Sequence, residues 1–200
     1  MALDPRDAGV LLNTCDVYLG LGRWDEAARL CGASLAIDPL NGGAYWELAV
    51  VRIRTGRFAE AEEEFRKSLE ISPTAAIVHS NLGWTLLYEG KLEEALAEFR
   101  QEPTDLRNWG PALVYHRMGR KAQSDAALAE YTKEHSDDDP YGIADAHAYR
   151  GEVDQAFVWL ERAYSQRQGW LYLVRGNPDF KSIEADPRYK AFLRKMNLPE

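Results

Sequence analysis

The sequence predicts an all-α protein, a superhelical row of about five helical hairpins closed by C-terminal capping helices. Two observations carry that prediction. Landmark residues recur every 34 positions. Segments such as 24–37 and 58–71 place apolar residues at i, i+3, i+4 and i+7, which is a helix period and not a strand period. The composition, 46% hydrophobic and 28% charged, is that of an ordinary globular chain.

The period is visible in several independent residue classes. Pro5, Pro39 and Pro73 are spaced by 34, as are Gly22, Gly56 and Gly90, and Ala27, Ala61 and Ala95. Trp24, Phe58 and Leu92 follow the same step, and so do Leu11, Tyr45 and His79. The glycine ends the first helix of a pair, where a residue without Cβ turns at low cost. The residue two positions later covers that turn. The alanine sits where two helices cross closely, and the proline ends the second helix.

These landmarks divide the chain. Residues 1–7 are read as the end of a preceding repeat, because Ala2-Leu3-Asp4-Pro5 matches the closing turn Ala36-Ile37-Asp38-Pro39. The chain is therefore expected to be the C-terminal piece of a longer protein. Full repeats span 8–41 and 42–75, and a shortened one spans 76–103, cut early by Pro103. Looser repeats span 104–136 and 137–167, with turn glycines Gly119 and Gly151. A bend is expected at 101–105, and the next helix should start or kink at Pro111. Residues 168–200 form a helical cap. There Asn177-Pro178 and Asp186-Pro187 each read as a helix start, with an N-cap side chain before a first-turn proline.

The recurring positions resemble the tetratricopeptide repeat (TPR) family, closely over 8–41, 42–75 and 76 to 101. The tail from Ala148 on is more loosely similar to the C-terminal ends of bacterial repeat regions fused to adenylate cyclase, winged-helix or kinase domains. The resemblance implies that the first helix of each pair lines a concave groove for a protein or peptide. Carried over position by position, the groove holds Leu12, Asp16 and Leu19 in the first repeat. It holds Trp46, Val50, Ile53 and Arg54 in the second, and Ile77, Ser80, Trp84, Leu87 and Tyr88 in the third. The fourth contributes Leu106, Trp109, Leu113, His116 and Arg117. Chaperone-binding relatives clamp a terminal carboxylate with basic and amide side chains, but Leu12, Asp16, Glu47 and Ile77 occupy those positions here and only Asn81 agrees. An apolar or helical segment is the expected ligand. Exposed, such a face is the kind of patch that marks interaction sites, with tryptophans as its anchors.

Other chemistries find little support. The net charge of −8 disfavours nucleic acid. No run approaches the ~20 apolar residues of a membrane span, and no signal-peptide pattern opens the chain. Two cysteines point to a reducing, cytoplasmic setting. Cys15 and Cys31 are expected as buried reduced thiols at small-residue positions of one hairpin, and they lack a CxxC spacing. His79, His116, His135 and His147 lack metal-ligand spacing, so no metal and no cofactor are expected. The run Ser136 to Asp139 reads as a solvated loop ending in an N-cap. No phosphate loop or nucleophile motif occurs, and the chain is read as a non-enzyme. Three functions remain: a protein-binding scaffold, a regulatory module of a larger signalling or transcription protein, or a self-association module. The last would use the apolar groove or exposed solenoid ends, and a candidate occupant of the groove is the basic amphipathic segment 188–198 of this chain or of a neighbouring molecule, since it follows an acidic body, +2 over 175–200 against −10 elsewhere.

Overall fold

The computed structural model describes residues 7–102 and 109–198. Expectations for residues 1–6, for Pro103 and for Leu106 fall outside them. The chain divides into two compact units, Met1–Arg107 and Asn108–Glu200.

In the first unit Asp7 opens helix α1 (Ala8–Gly20), its carboxylate accepting from the amides of Gly9 and Val10 at 2.9 and 3.1 Å. Helix α2 (Trp24–Ile37) returns against it. Helices α3 (Gly42–Arg54) and α4 (Phe58–Ile71) form the second hairpin, and α5 (Val78–Glu89) and α6 (Leu92–Gln101) the third. α6 has 10 residues where α2 and α4 have 14.

The second unit holds α7 (Trp109–Arg117) with α8 (Lys121–His135), and α9 (Pro140–Tyr149) with α10 (Val153–Ser165). α7 already includes Trp109, so Pro111 lies in its first turn rather than at its start. That is tolerable because the first-turn amides need no intrahelical acceptor. Two 3-10 turns, Gly169–Val174 and Pro178–Ser182, lead to α11 (Pro187–Lys195). Asp139, Asn177 and Asp186 cap their helices as expected. Tyr189, Phe192 and Leu193 of α11 are buried in one cluster with Phe157 and Leu160 of α10 and with Phe180. The apolar face of α11 is thus packed against α10 and the turn at Phe180.

The turns within the five hairpins close alike. The glycines 22, 56, 90, 119 and 151 have φ between 71° and 81°. The next residue's amide reaches back to the carbonyl five residues earlier, as in Arg23 to Tyr18 at 2.9 Å and Lys91 to Leu86 at 2.8 Å. This is the Schellman closure, and it needs the left-handed residue that glycine supplies. Ala27, Ala61 and Ala95 have no exposed surface. Ala61→Phe is expected to overpack the α3–α4 crossing and lower stability by about 1–3 kcal/mol in urea unfolding. An unchanged midpoint would place that crossing elsewhere.

Two further positions recur at the same step and show how a hairpin is tied. Ser34 and Ser68 donate hydroxyl hydrogen bonds to the carbonyls of Ala8 and Gly42, 2.8 and 2.9 Å away, joining the end of each second helix to the start of its first. In the third hairpin the equivalent residue is Glu102, whose buried carboxylate accepts from the amides of Ile77 (3.1 Å) and Ser80 (3.0 Å). At the middle of the third hairpin a small residue faces a ring, Gly83 against Phe99, and Ala49 and Phe65 stand at the same two positions of the second. A β-carbon on Gly83 would stand 2.8 Å from the Phe99 ring.

In the first hairpin those two positions are Cys15 and Cys31. They are joined as a disulfide with Cα atoms 5.6 Å apart, which corrects the expectation of reduced thiols. Facing β-carbons at a close helix crossing lie within the usual disulfide span. A separation of 16 residues hides that pairing from any short motif. The cysteine argument for a reducing compartment falls with it. Among the described residues no helix is long and apolar enough to cross a membrane.

Candidate peptide-binding groove

Helices α1, α3 and α5 are the first helices of the three hairpins in the first unit, and α3 touches both α1 and α5. On α1, Leu12 is half-buried, Asp16 exposed and Leu19 buried. On α3, Trp46, Val50 and Arg54 are half-buried and Ile53 is buried. Before and along α5, Ile77 and Tyr88 are half-buried while Ser80, Trp84 and Leu87 are buried.

Packing explains this division. Trp84 meets Phe99 edge-on at 5.5 Å and leans on Tyr88 at 6.4 Å, which leaves it 8% exposed. Leu87 is fully buried and offers a ligand no surface. Tyr88 also faces Phe58 of α4 at 5.0 Å, so its ring is held from two sides. The indole N–H of Trp46 is shielded from solvent and has no hydrogen-bond acceptor among the described residues. The accessible part of that ring is therefore hydrocarbon. Leu12, Trp46, Val50 and Tyr88 are the apolar members of the set that keep accessible surface on these helices.

The Glu47 carboxyl lies beneath this face, 3.7 Å from Cys31 Sγ. Burial, with Asp16 as a second and smaller cause, pushes it up to about 7. The folded chain therefore holds this proton more tightly than the unfolded chain does, and stability falls as pH rises from the ordinary carboxyl value through 7. Glu47→Gln is expected to raise the melting temperature at pH 8 and to leave it nearly unchanged at pH 4. Equal shifts at both pH values would show that Glu47 is not desolvated.

In the second unit, Trp109 is half-buried and stacks on Tyr131 with ring centroids 6.3 Å apart, and Leu113 is fully buried. His116 and Arg117 are exposed and line a cleft of about 350 Å³ with Tyr149, Pro178, Asp179 and Ser182. Partial desolvation of this largely exposed ring, and then the Arg150 guanidinium, hold the His116 pKa below the usual histidine value. Burial, and then Asp179, raise that of Tyr149. The 3-10 turn Pro178–Ser182 packs against α9, with the Ser182 hydroxyl donating to the Ala148 carbonyl. Asn177 secures it by donating to Tyr141 Oη at 3.1 Å and to Asp145 Oδ2 at 2.8 Å.

Tyr149, Asp179 and Ser182 were absent from the sequence-derived set. The loose register of the fifth repeat hid Tyr149. The Asn177-Pro178 start was the signal for the other two, but it gives no hint that this turn packs on α9. His79 is half-buried and bonded to Glu98 at 2.7 Å.

Two tetratricopeptide repeat profiles match the chain, one over residues 15–76 and one over residues 76–101. No curated protein sequence matches it. Among solved structures it is similar to TTC0263, a thermophilic TPR protein of Thermus thermophilus. That pair is 21% identical, covers 86% of this chain and 98% of that one, and has a TM-score of 0.65. It is similar to YrrB, a TPR protein with an unusual peptide-binding site, at 18% identity, 85% and 92% coverage and a TM-score of 0.57. It is also similar to the first TPR of Spaghetti (RPAP3) bound to the HSP90 peptide SRMEEVD, at 23% identity, 62% and 97% coverage and a TM-score of 0.51. At these identities the likeness speaks for the fold. With the recurring turns, crossings and ties described above, residues 15–101 match tetratricopeptide repeat models, and the chain shares its fold with TPR solenoid proteins.

Proposed function

We propose that the chain is a non-catalytic protein-interaction scaffold that holds an apolar or helical peptide segment along the face of α1, α3 and α5. The observation that carries this reading is the partly exposed apolar set Leu12, Trp46, Val50 and Tyr88 on three successive first helices. Buried Leu19, Ile53, Trp84 and Leu87 support that face from beneath. Asp16 and Arg54 supply charges of both signs beside it. In the second unit, half-buried Trp109 and exposed His116 and Arg117 offer a more polar surface, with Leu113 beneath. Two of the similar structures, YrrB and the Spaghetti TPR, are peptide-binding by their own descriptions. The ligand expected here differs from a C-terminal acidic peptide, because Leu12, Asp16, Glu47 and Ile77 give a carboxylate no cation.

The test is binding of a panel of fluorescently labelled amphipathic helical peptides to wild type and to Trp46→Ala/Tyr88→Ala. Half-exposed aromatic anchors are worth roughly 2 kcal/mol each, so affinity should fall at least about tenfold. Equal binding by both proteins, with circular dichroism unchanged, would remove this face as the site. Light scattering on the same two proteins addresses self-association. An oligomer that the double variant dissolves would make a second copy of the chain the occupant.

A further inference from the structure

Three departures from the repeat pattern converge on one point. Where the later hairpins carry Ala49 with Phe65 and Gly83 with Phe99, the first carries Cys15 and Cys31. Where the first and third repeats carry Asn13 and Asn81, the second carries Glu47. Cys15 lies on α1, Cys31 on α2 and Glu47 on α3, and their sulfur and carboxylate atoms all lie within 4.8 Å of one another. Both cysteines are fully buried. Among the described residues no lysine or arginine pairs with Glu47, and its near neighbour is the Cys31 sulfur.

A carboxylate taken out of water without a cation is costly, and so is a thiolate. A divalent cation at their midpoint compensates all three groups together. Two thiolates with one carboxylate form a donor set suited to Zn²⁺. The sulfurs favour a borderline-soft ion, and the carboxylate oxygen favours a dication over Cu(I). We propose that the junction of the first two hairpins is a redox-gated site for a thiophilic divalent cation of the Zn²⁺ type, held by Cys15, Cys31 and Glu47 when the cysteines are reduced and excluded when they are joined.

The chemistry balances with a dithiol or phosphine reductant. Two electrons from the reductant break the S–S bond, and each sulfur takes a proton to become a thiol. A dithiol leaves as its own disulfide, whereas a phosphine leaves as its oxide, with water supplying the oxygen. The cation then displaces the two thiol protons and forms two metal–sulfur bonds. Tetrahedral Zn–S bonds of about 2.3 Å hold two sulfurs roughly 3.7 Å apart. The side chains therefore need only swing apart by roughly the difference between that separation and a disulfide bond. Three protein ligands leave a fourth position for water.

The experiment uses the whole chain. One sample is reduced with a phosphine, desalted without oxygen and titrated with Co²⁺, and an oxidised sample is titrated in parallel. The reduced chain is expected to bind one equivalent with a thiolate-to-cobalt charge-transfer band that Zn²⁺ abolishes, and the oxidised chain is expected to show none. Glu47→Gln should weaken binding at least about tenfold, since even outer-shell changes cost roughly 10- to 100-fold. Cys15→Ala/Cys31→Phe borrows the pair that packs the second hairpin and should fold without the band. If that variant fails to fold, the comparison of reduced and oxidised wild type still decides. A reduced chain without the band at saturating Co²⁺, an oxidised chain that binds equally, or undiminished affinity in Glu47→Gln would each overturn the proposal.

Discussion

Phe99→Ala is expected to lower the stability of the first unit by about 3–5 kcal/mol, the usual range for a buried phenylalanine. Phe99 has no exposed surface. Its ring fills the space left by Gly83, where a β-carbon would come within 2.8 Å, and Trp84 packs edge-on against it at 5.5 Å. The short α6 has few other anchors, with Ala95 and Leu96 its remaining buried residues. The vacated space is bounded by rigid helix backbone and cannot collapse fully. Urea unfolding followed by circular dichroism should show the shift, and a loss less than half the lower end of that range would mean that the hairpin repacks. A linked outcome tests the contact itself. Gly83→Ala is expected to be unfavourable in wild type. It should be favourable in the Phe99→Ala background, where helix propensity then contributes up to about 1 kcal/mol.

The second large effect is expected at Glu102. Its carboxylate is buried and receives the amides of Ile77 and Ser80, the N-cap and third residue of α5. Ile77 is held at φ 65°, a left-handed conformation that a β-branched residue adopts only under constraint. Glu102→Ala strands two amides at about 1–3 kcal/mol each and removes a negative charge from a helix N-terminus, for an expected loss of about 3 kcal/mol. Glu102→Gln keeps one acceptor but turns a donor toward an amide, so roughly half the loss should remain. Amide hydrogen exchange at Ile77 and Ser80 should quicken in both variants. Slow exchange there in Glu102→Ala would show that another acceptor closes this end of α5.

These two residues illustrate what can be read from a repeat sequence. Phe99 and Gly83 stand in register with Phe65 and Ala49, so their pairing across a hairpin is legible from the period alone. The turn glycines and crossing alanines were legible for the same reason, because each answers a backbone demand that recurs. Glu102 stands in register with Ser34 and Ser68, yet it does the opposite work, accepting amide hydrogens where the serines donate to carbonyls. Periodicity marks its place without its role. The disulfide was hidden likewise: the period puts Cys15 opposite Cys31, but small apolar residues and bonded sulfurs fill that place equally well. For the groove, the period assigned positions to the first-helix face, but it could not separate Trp46 from Trp84. That difference rests on Phe99 and Tyr88 crowding Trp84. The polar cleft at His116 was half legible, because Pro178–Ser182 packs on α9 without sharing the repeat.

The serine ties carry a consequence for how such a chain can change length. Each one, Ser34 to Ala8 and Ser68 to Gly42, begins and ends within one hairpin. A block of one full period, cut at the proline turns, can therefore be removed or duplicated with every tie intact, whereas a cut between a serine and its carbonyl partner severs one. The hairpin, whose ties begin and end within it, is a unit of exchange as well as a unit of packing. Recombination or design that respects this step inherits folded parts, and the Cys15–Cys31–Glu47 cluster, which spans two hairpins, is the element that such a cut would break.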